Sequence, residues 1–220
     1  MNYKMKILYI FRGENLRDKR GPQSALDCIN NWRETLFLNQ LEYDIAFITY
    51  DSPILDKLVN ELKPKYVDIR EKISQRENMK NVMNFIKENK NYDRYVILRF
   101  DFVYKIKIIN WNNWDKTGII FTSRDVHWPK LKFIHDILFI VDKHSIDNFV
   151  IAYLAPYRDD GLAIPHYLIQ NNIPFYFIIE GYYHMHIKHP LHVILNTEKM
   201  PDLNNYEQGE EILNVSDWNK

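Results

Sequence analysis

The stretch "RYVILRFDFVY" (94–104) reads as a buried β-strand, yet it carries Arg99 and Asp101 at its carboxyl end. A carboxylate fixed at the rigid end of a strand is well placed to hold a cation or a polar ligand. A strand-end ion pair between the two residues is the structural alternative. Other apolar runs end in similar polar groups: Arg12-Gly13-Glu14, Thr49-Tyr50-Asp51 and Thr122-Ser123-Arg124-Asp125. Each is also ordinary turn chemistry, but four such endings point to a shared site. A second cluster, "EGYYHMHIKHPLH", holds His184, His186, His189 and His192. His184 and His186 are two apart, so on extended backbone they share a face and can approach one metal. An ordinary surface cluster explains them equally well.

Composition limits what such a site can serve. Lys plus Arg equal Asp plus Glu at 29 each, so no broad attraction to nucleic acid or to an anionic membrane is expected. With 220 residues, 46% of them apolar, the chain suits one sizeable domain. The longest apolar runs, such as "ILFIV" (137–141), are far short of a membrane span, and the start has no signal-peptide cleavage site. The single cysteine, Cys28, agrees with a reducing compartment. The expected location is the cytoplasm.

The elements that must position these residues alternate strand with helix, the pattern of a mostly parallel α/β sheet covered by helices. Strands are expected at 4–11, 43–50, 66–69, 94–101, 118–123, 136–141 and 174–180. Helices are expected at 21–40, after Asp51-Ser52-Pro53, at 74–90, 144–155 and 161–172. Ser74 with Glu77 forms a capping box, and Met79, Val82, Met83 and Ile86 make one apolar face. Residues 1–195 form one domain, and 196–220, rich in Asn, Glu and Asp, a peripheral tail. Ligands of an open α/β sheet sit beyond the carboxyl ends of its strands, where the polar endings lie. Neither the dinucleotide fingerprint nor the P-loop pattern follows the first strand, which argues against a dehydrogenase or a kinase.

"MKILYIFRG", a following helix with "NW", "YDIAFITYDS", "LKPKYVDI", "YDRYVILRFDFVY" and "HDILFIVDKHSIDNF" together resemble the sugar transferases of large DNA viruses and of bacterial surface-polysaccharide clusters. The likeness is to GT-A-type glycosyltransferases, including the amino-terminal glycosyltransferase domain of a chlorella-virus protein that helps build capsid glycans. It implies transfer of a sugar from a nucleotide-diphosphate donor, UDP-linked by expectation, to a glycan or glycoprotein acceptor. It also implies Mn²⁺ or Mg²⁺ held on the diphosphate by a DxD-type motif. Arg99 stands where that motif has its first carboxylate, so only Asp101 carries over as a metal ligand, with His184 and His186 as partners. Arg99 then contacts phosphate and assists departure of the leaving group. By position, Arg12, Gly13, Thr49 and Asp51 seat the base and ribose, while Arg17, Lys19 and Arg20 form a basic loop over the diphosphate. Asp136 is the expected general base for an inverting transfer. His127 and Trp128 offer a stacking surface for a sugar ring. The competing readings are a nucleotide-sugar-binding module without catalysis and a metal-dependent phosphoesterase.

Overall fold

The computed structural model describes residues 5–17, 23–125, 128–154, 164–183 and 189–194. The expected tail at 196–220 lies outside them. Seven strands make the central sheet: β1 (Lys6–Gly13), β2 (Glu42–Tyr50), β3 (Tyr66–Arg70), β4 (Arg94–Arg99), β6 (Ile119–Phe121), β7 (Leu138–Asp142) and β8 (Phe175–Phe177). A further strand, β5 (Phe102–Tyr104), follows β4 directly and pairs antiparallel with β9 (His192–Ile194) outside the sheet. The sheet order is β8-β6-β7-β4-β1-β2-β3. All neighbours are parallel except β7, which runs antiparallel to both β4 and β6. The fold is therefore the expected α/β architecture with a mostly parallel sheet, and β7 is its one reversed strand.

Alternation along β1 explains the two layers of core. Ile7, Tyr9 and Phe11 face one side and pack with Trp32 of α1 (Ile29–Thr35), with Leu36 just after it and with Leu58 of α2 (Leu55–Leu62). Leu8 and Ile10 face the other side and pack with Met79, Val82, Met83 and Ile86 of α3 (Gln75–Glu88). Ser74 caps α3 by accepting a hydrogen bond from the Glu77 amide at 3.2 Å. The predicted apolar face of this helix is thus the buried one.

The segment expected as one helix over 21–40 is shorter. A 3₁₀ turn at Ala25–Cys28 leads into α1, which ends at Thr35; Gly21 and Pro22 lie outside the described residues. Beyond Thr35 the run "LFL" turns inward instead of continuing the helix, and Phe37 packs edge-on against Tyr9 with ring centroids 5.3 Å apart. Burial of three consecutive apolar residues outweighs helix propensity here. In the second half, α4 (Trp128–Leu131) lies in the loop before β7, and α5 (Ile146–Leu154) and α6 (Ile164–Gln170) cover the same face as α3.

Candidate functional site

Strand register brings the two arginines together. Arg12 and Arg99 are directly opposed on the parallel pair β1–β4. On each strand the arginine continues the face that packs on α3, after Leu8 and Ile10 on β1 and after Tyr95 and Ile97 on β4. Both guanidiniums therefore emerge at the carboxyl edge beside the first turn of α3, which supplies Gln75 and Asn78. Because β7 is reversed, its amino end lies at that same edge, and so Asp136, two residues before β7, reaches the arginines.

The result is a quartet of two guanidiniums and two carboxylates, with Arg99 the one member partly open to the surface. Arg99 grips Asp101 with both arms of its fork: Nε donates to Oδ1 at 2.9 Å and Nη2 to Oδ2 at 2.7 Å. Its third nitrogen, Nη1, lies 3.6 Å from Asp136 Oδ1. Arg12 Nη2 donates to the Asp136 carbonyl and lies 3.3 Å from Asp136 Oδ2, which also accepts from Gln75 Nε2. Arg12, Asp101 and Asp136 are each buried. Burial alone would raise the Asp136 pKa, but the Arg99 and Arg12 guanidiniums overcome that effect and hold it below the usual carboxylate range. Next to the quartet opens a cleft lined among others by Arg12, Glu14, Tyr50, Asn78, Arg99 and Asp101.

The remaining expected site residues are placed as follows. Gly13 lines the cleft with φ +84°, a left-handed conformation that suits glycine, and turns the chain out of β1. Thr49 is fully buried; its hydroxyl donates to the Gly13 carbonyl at 2.7 Å and accepts from Asn15 Nδ2 at 3.1 Å. It holds the exit loop of β1 and does not line the cleft. Asp51 is exposed after β2 and also lies outside the lining. The Arg17 backbone pairs with Gln23, while Lys19, Arg20, His127, His184 and His186 lie outside the described residues. Trp128 is not an open stacking surface. It is packed on Phe177, ring centroids 5.3 Å apart, beneath the Arg124 guanidinium.

Beside Asp136 runs a polar chain that no residue spacing in the sequence signals. His189 Nδ1 accepts from the Leu191 amide at 3.1 Å, so its Nε2 carries the proton that meets Ser123 Oγ at 2.9 Å. Ser123 in turn lies 3.5 Å from His135 Nδ1, and His135 Nε2 donates to the Tyr183 carbonyl at 2.8 Å. Desolvation, then His135 and Lys105, push the His189 pKa well down. His189 and His192 stack with centroids 4.0 Å apart. These two of the four clustered histidines are buried in the fold.

The donors described do not suit a divalent metal. Both Asp101 oxygens are taken by Arg99, and Asp136 is shared by Arg12, Arg99 and Gln75. Among the described residues no three His, Cys, Asp or Glu side chains come together as a set that could hold a metal ion. The phosphoesterase alternative, which needs several carboxylates around its metals, has no donor set there either. Among the described residues no helix is long and apolar enough to cross a membrane.

No protein-family model and no curated protein matches the chain. Its structure is similar to that of a Desulfovibrio desulfuricans G20 protein provisionally assigned as a nucleotide-diphospho-sugar transferase. The TM-score is 0.52 and the identity 13%, over 82% of this chain and 81% of the other. At that identity the likeness speaks for the fold. The resemblance to viral sugar transferases rests on sequence pattern alone.

Proposed function

We propose that this chain is a glycosyltransferase that binds a nucleotide-diphospho-sugar at the carboxyl edge of its sheet and passes the sugar to a hydroxyl of a glycan or glycoprotein. The observation that carries this reading is the opposition of Arg12 and Arg99 at the ends of the two central parallel strands, at the mouth of a cleft. That is where open α/β sheets bind ligands. Guanidiniums match phosphate oxygens geometrically and keep their charge at any working pH. Fixed in place before the reaction, they stabilise charge that builds on a departing diphosphate without reorganising to do so. A shared fold with a protein assigned to nucleotide-diphospho-sugar transfer agrees with this. Uridine as the base and surface or viral glycans as the setting are finer parts of the proposal, carried by the sequence resemblance.

In this reading Asp136 positions the arginines. A general base needs affinity for the acceptor proton, and the guanidiniums around Asp136 reduce that affinity. The same observation favours one second reading, a nucleotide-sugar-binding module without turnover. A thermal-shift screen of nucleoside diphosphates and their sugars comes first, since a ligand at 100 times its Kd stabilises by about 2.7 kcal/mol. At least one nucleotide-sugar should raise the melting temperature, and Arg12→Ala and Arg99→Ala should each weaken its binding about tenfold or more. Release of nucleoside diphosphate from that donor separates the transferase from the binding module. If no nucleotide stabilises the protein, both readings fail.

A further inference from the structure

Asn78 occupies the first turn of α3 and lines the cleft, yet it is only 1% exposed. Neither its amide nitrogen nor its amide oxygen has a hydrogen-bond partner. Buried polar groups are nearly always paired, and an unpaired one costs about 1–3 kcal/mol. An amide lacking both partners, at the lining of a cleft, is the arrangement expected when a ligand supplies them. The groups around it narrow the chemistry of that ligand. Arg12 and Arg99 face the diphosphate in the reading above, and Glu14 is paired with Lys72 at 2.6 Å, which leaves the uncharged Asn78 amide for the uncharged part of the ligand. An amide suits hydroxyls, each of which both donates and accepts. Adjacent hydroxyls match the side-by-side donor and acceptor of one amide.

We propose that Asn78 is a specificity-determining residue that reads a vicinal diol of the bound ligand. This rests on the nucleotide-sugar reading above, and the diol belongs either to the ribose or to the transferred sugar. A site built to pair with hydroxyls rejects analogues that lack them, because its own polar groups are then left bare.

The test compares wild-type protein with Asn78→Leu and Asn78→Ala. Leucine keeps the branched shape of asparagine with two bulkier methyl groups in place of the amide, and alanine removes the amide without adding bulk. The ligand is whichever ribonucleoside diphosphate of a four-base panel binds best, together with its 2′-deoxy form and its nucleotide-sugar. If the diol is the ribose, the ribonucleotide binds about tenfold tighter than the deoxy form, and both variants lose that ratio. If it is the sugar, the two nucleotides bind alike, the nucleotide-sugar binds tighter than the diphosphate, and the variants lose that increment instead. In either case at least one of the two variants should keep its melting temperature within about 5 °C of the wild type, since no hydrogen bond is broken. The proposal is overturned if both ratios survive in the variants, if only the preference among bases changes, or if both substitutions lower the melting temperature by more than about 5 °C, the signature of a structural amide. If no member of the panel binds wild-type protein, the nucleotide-sugar reading itself has failed.

Discussion

At the residue scale, Asp136 is the hub of the site, because both guanidiniums and the Gln75 amide converge on it. Removing one partner from a buried ion pair leaves the other charge uncompensated, which costs about 3–5 kcal/mol. Asp136→Asn keeps the shape but drops the charge, leaving Arg12 and Arg99 to share Asp101. Urea denaturation should show a loss of about 3 kcal/mol. A loss below about 1 kcal/mol would mean the arginines do not depend on this carboxylate. The pairing of Arg99 with Asp101 was legible as one of two alternatives, because alternate residues on extended backbone share a face. The convergence of Asp136 on them was not. It depends on the reversal of β7, which no local pattern around "HDILFIV" announces.

At the element scale, the "NW" of α1 explains why β5 holds its place after leaving the sheet. Asn31 Nδ2 donates to the Tyr104 carbonyl at 2.8 Å and Asn31 Oδ1 accepts from the Tyr104 amide at 2.7 Å. Trp32 Nε1 donates to the Phe102 carbonyl at 2.8 Å. Two side chains of one helical turn thus act as a neighbouring strand would, satisfying backbone groups that burial would otherwise leave unpaired. β5 follows Asp101 directly, so its position also sets where the carboxyl end of β4 points. Asn31→Ala should therefore destabilise the fold by about 2–3 kcal/mol, as two buried backbone groups lose their partner. A chemical-denaturation midpoint unchanged from wild type would refute this role. The second strand of the pair, β9, lay hidden in a histidine-rich segment whose polarity masks its burial; His192 is 1% exposed.

At the scale of the whole molecule, buried titratable groups predict sensitivity to acid in two steps. The folded His189 has a pKa below the ordinary imidazole value of about 6.5, so below that pH the unfolded chain binds a proton that the native state refuses. Stability from this group is complete above about pH 6.5 and falls as the solution is acidified from there. His189 meets Ser123 Oγ, the Leu191 amide and the rings of His135 and His192, with Lys105 acting on it electrostatically, and none of these is a carboxylate that would stabilise the imidazolium. Asp136 works in the opposite sense. Its folded pKa is depressed, so its contribution is complete above the ordinary carboxylate value of about 4 and is lost as pH falls through the lower folded value. Urea midpoints between pH 7 and 5 should decline in the wild type and much less in His189→Gln. An equal decline in both would remove His189 as the cause.

By itself the sequence determined the kinds and order of the elements. The alternating apolar faces of "KILYIFRG", the Ser74 cap and the one-sided stripe of α3 are local signals that tertiary contacts reinforced. It also determined that polar residues end the parallel strands, because a strand leaving the core must meet water or a ligand there. Only the tertiary structure decided which of those endings share a cleft. Register set Arg12 against Arg99, and the reversal of β7 brought Asp136 to the same edge. The path of β1 into its exit loop drew Thr49 inward to hold the Gly13 carbonyl, whereas Asp51 remained at the surface. Asn78 gives no sequence signal at all: an asparagine in a helix is commonplace, and what sets this one apart is that packing buries it with nothing to bond. Side-chain chemistry is local and can be read along the chain, while the convergence that makes a site is set by strand pairing between residues far apart in sequence.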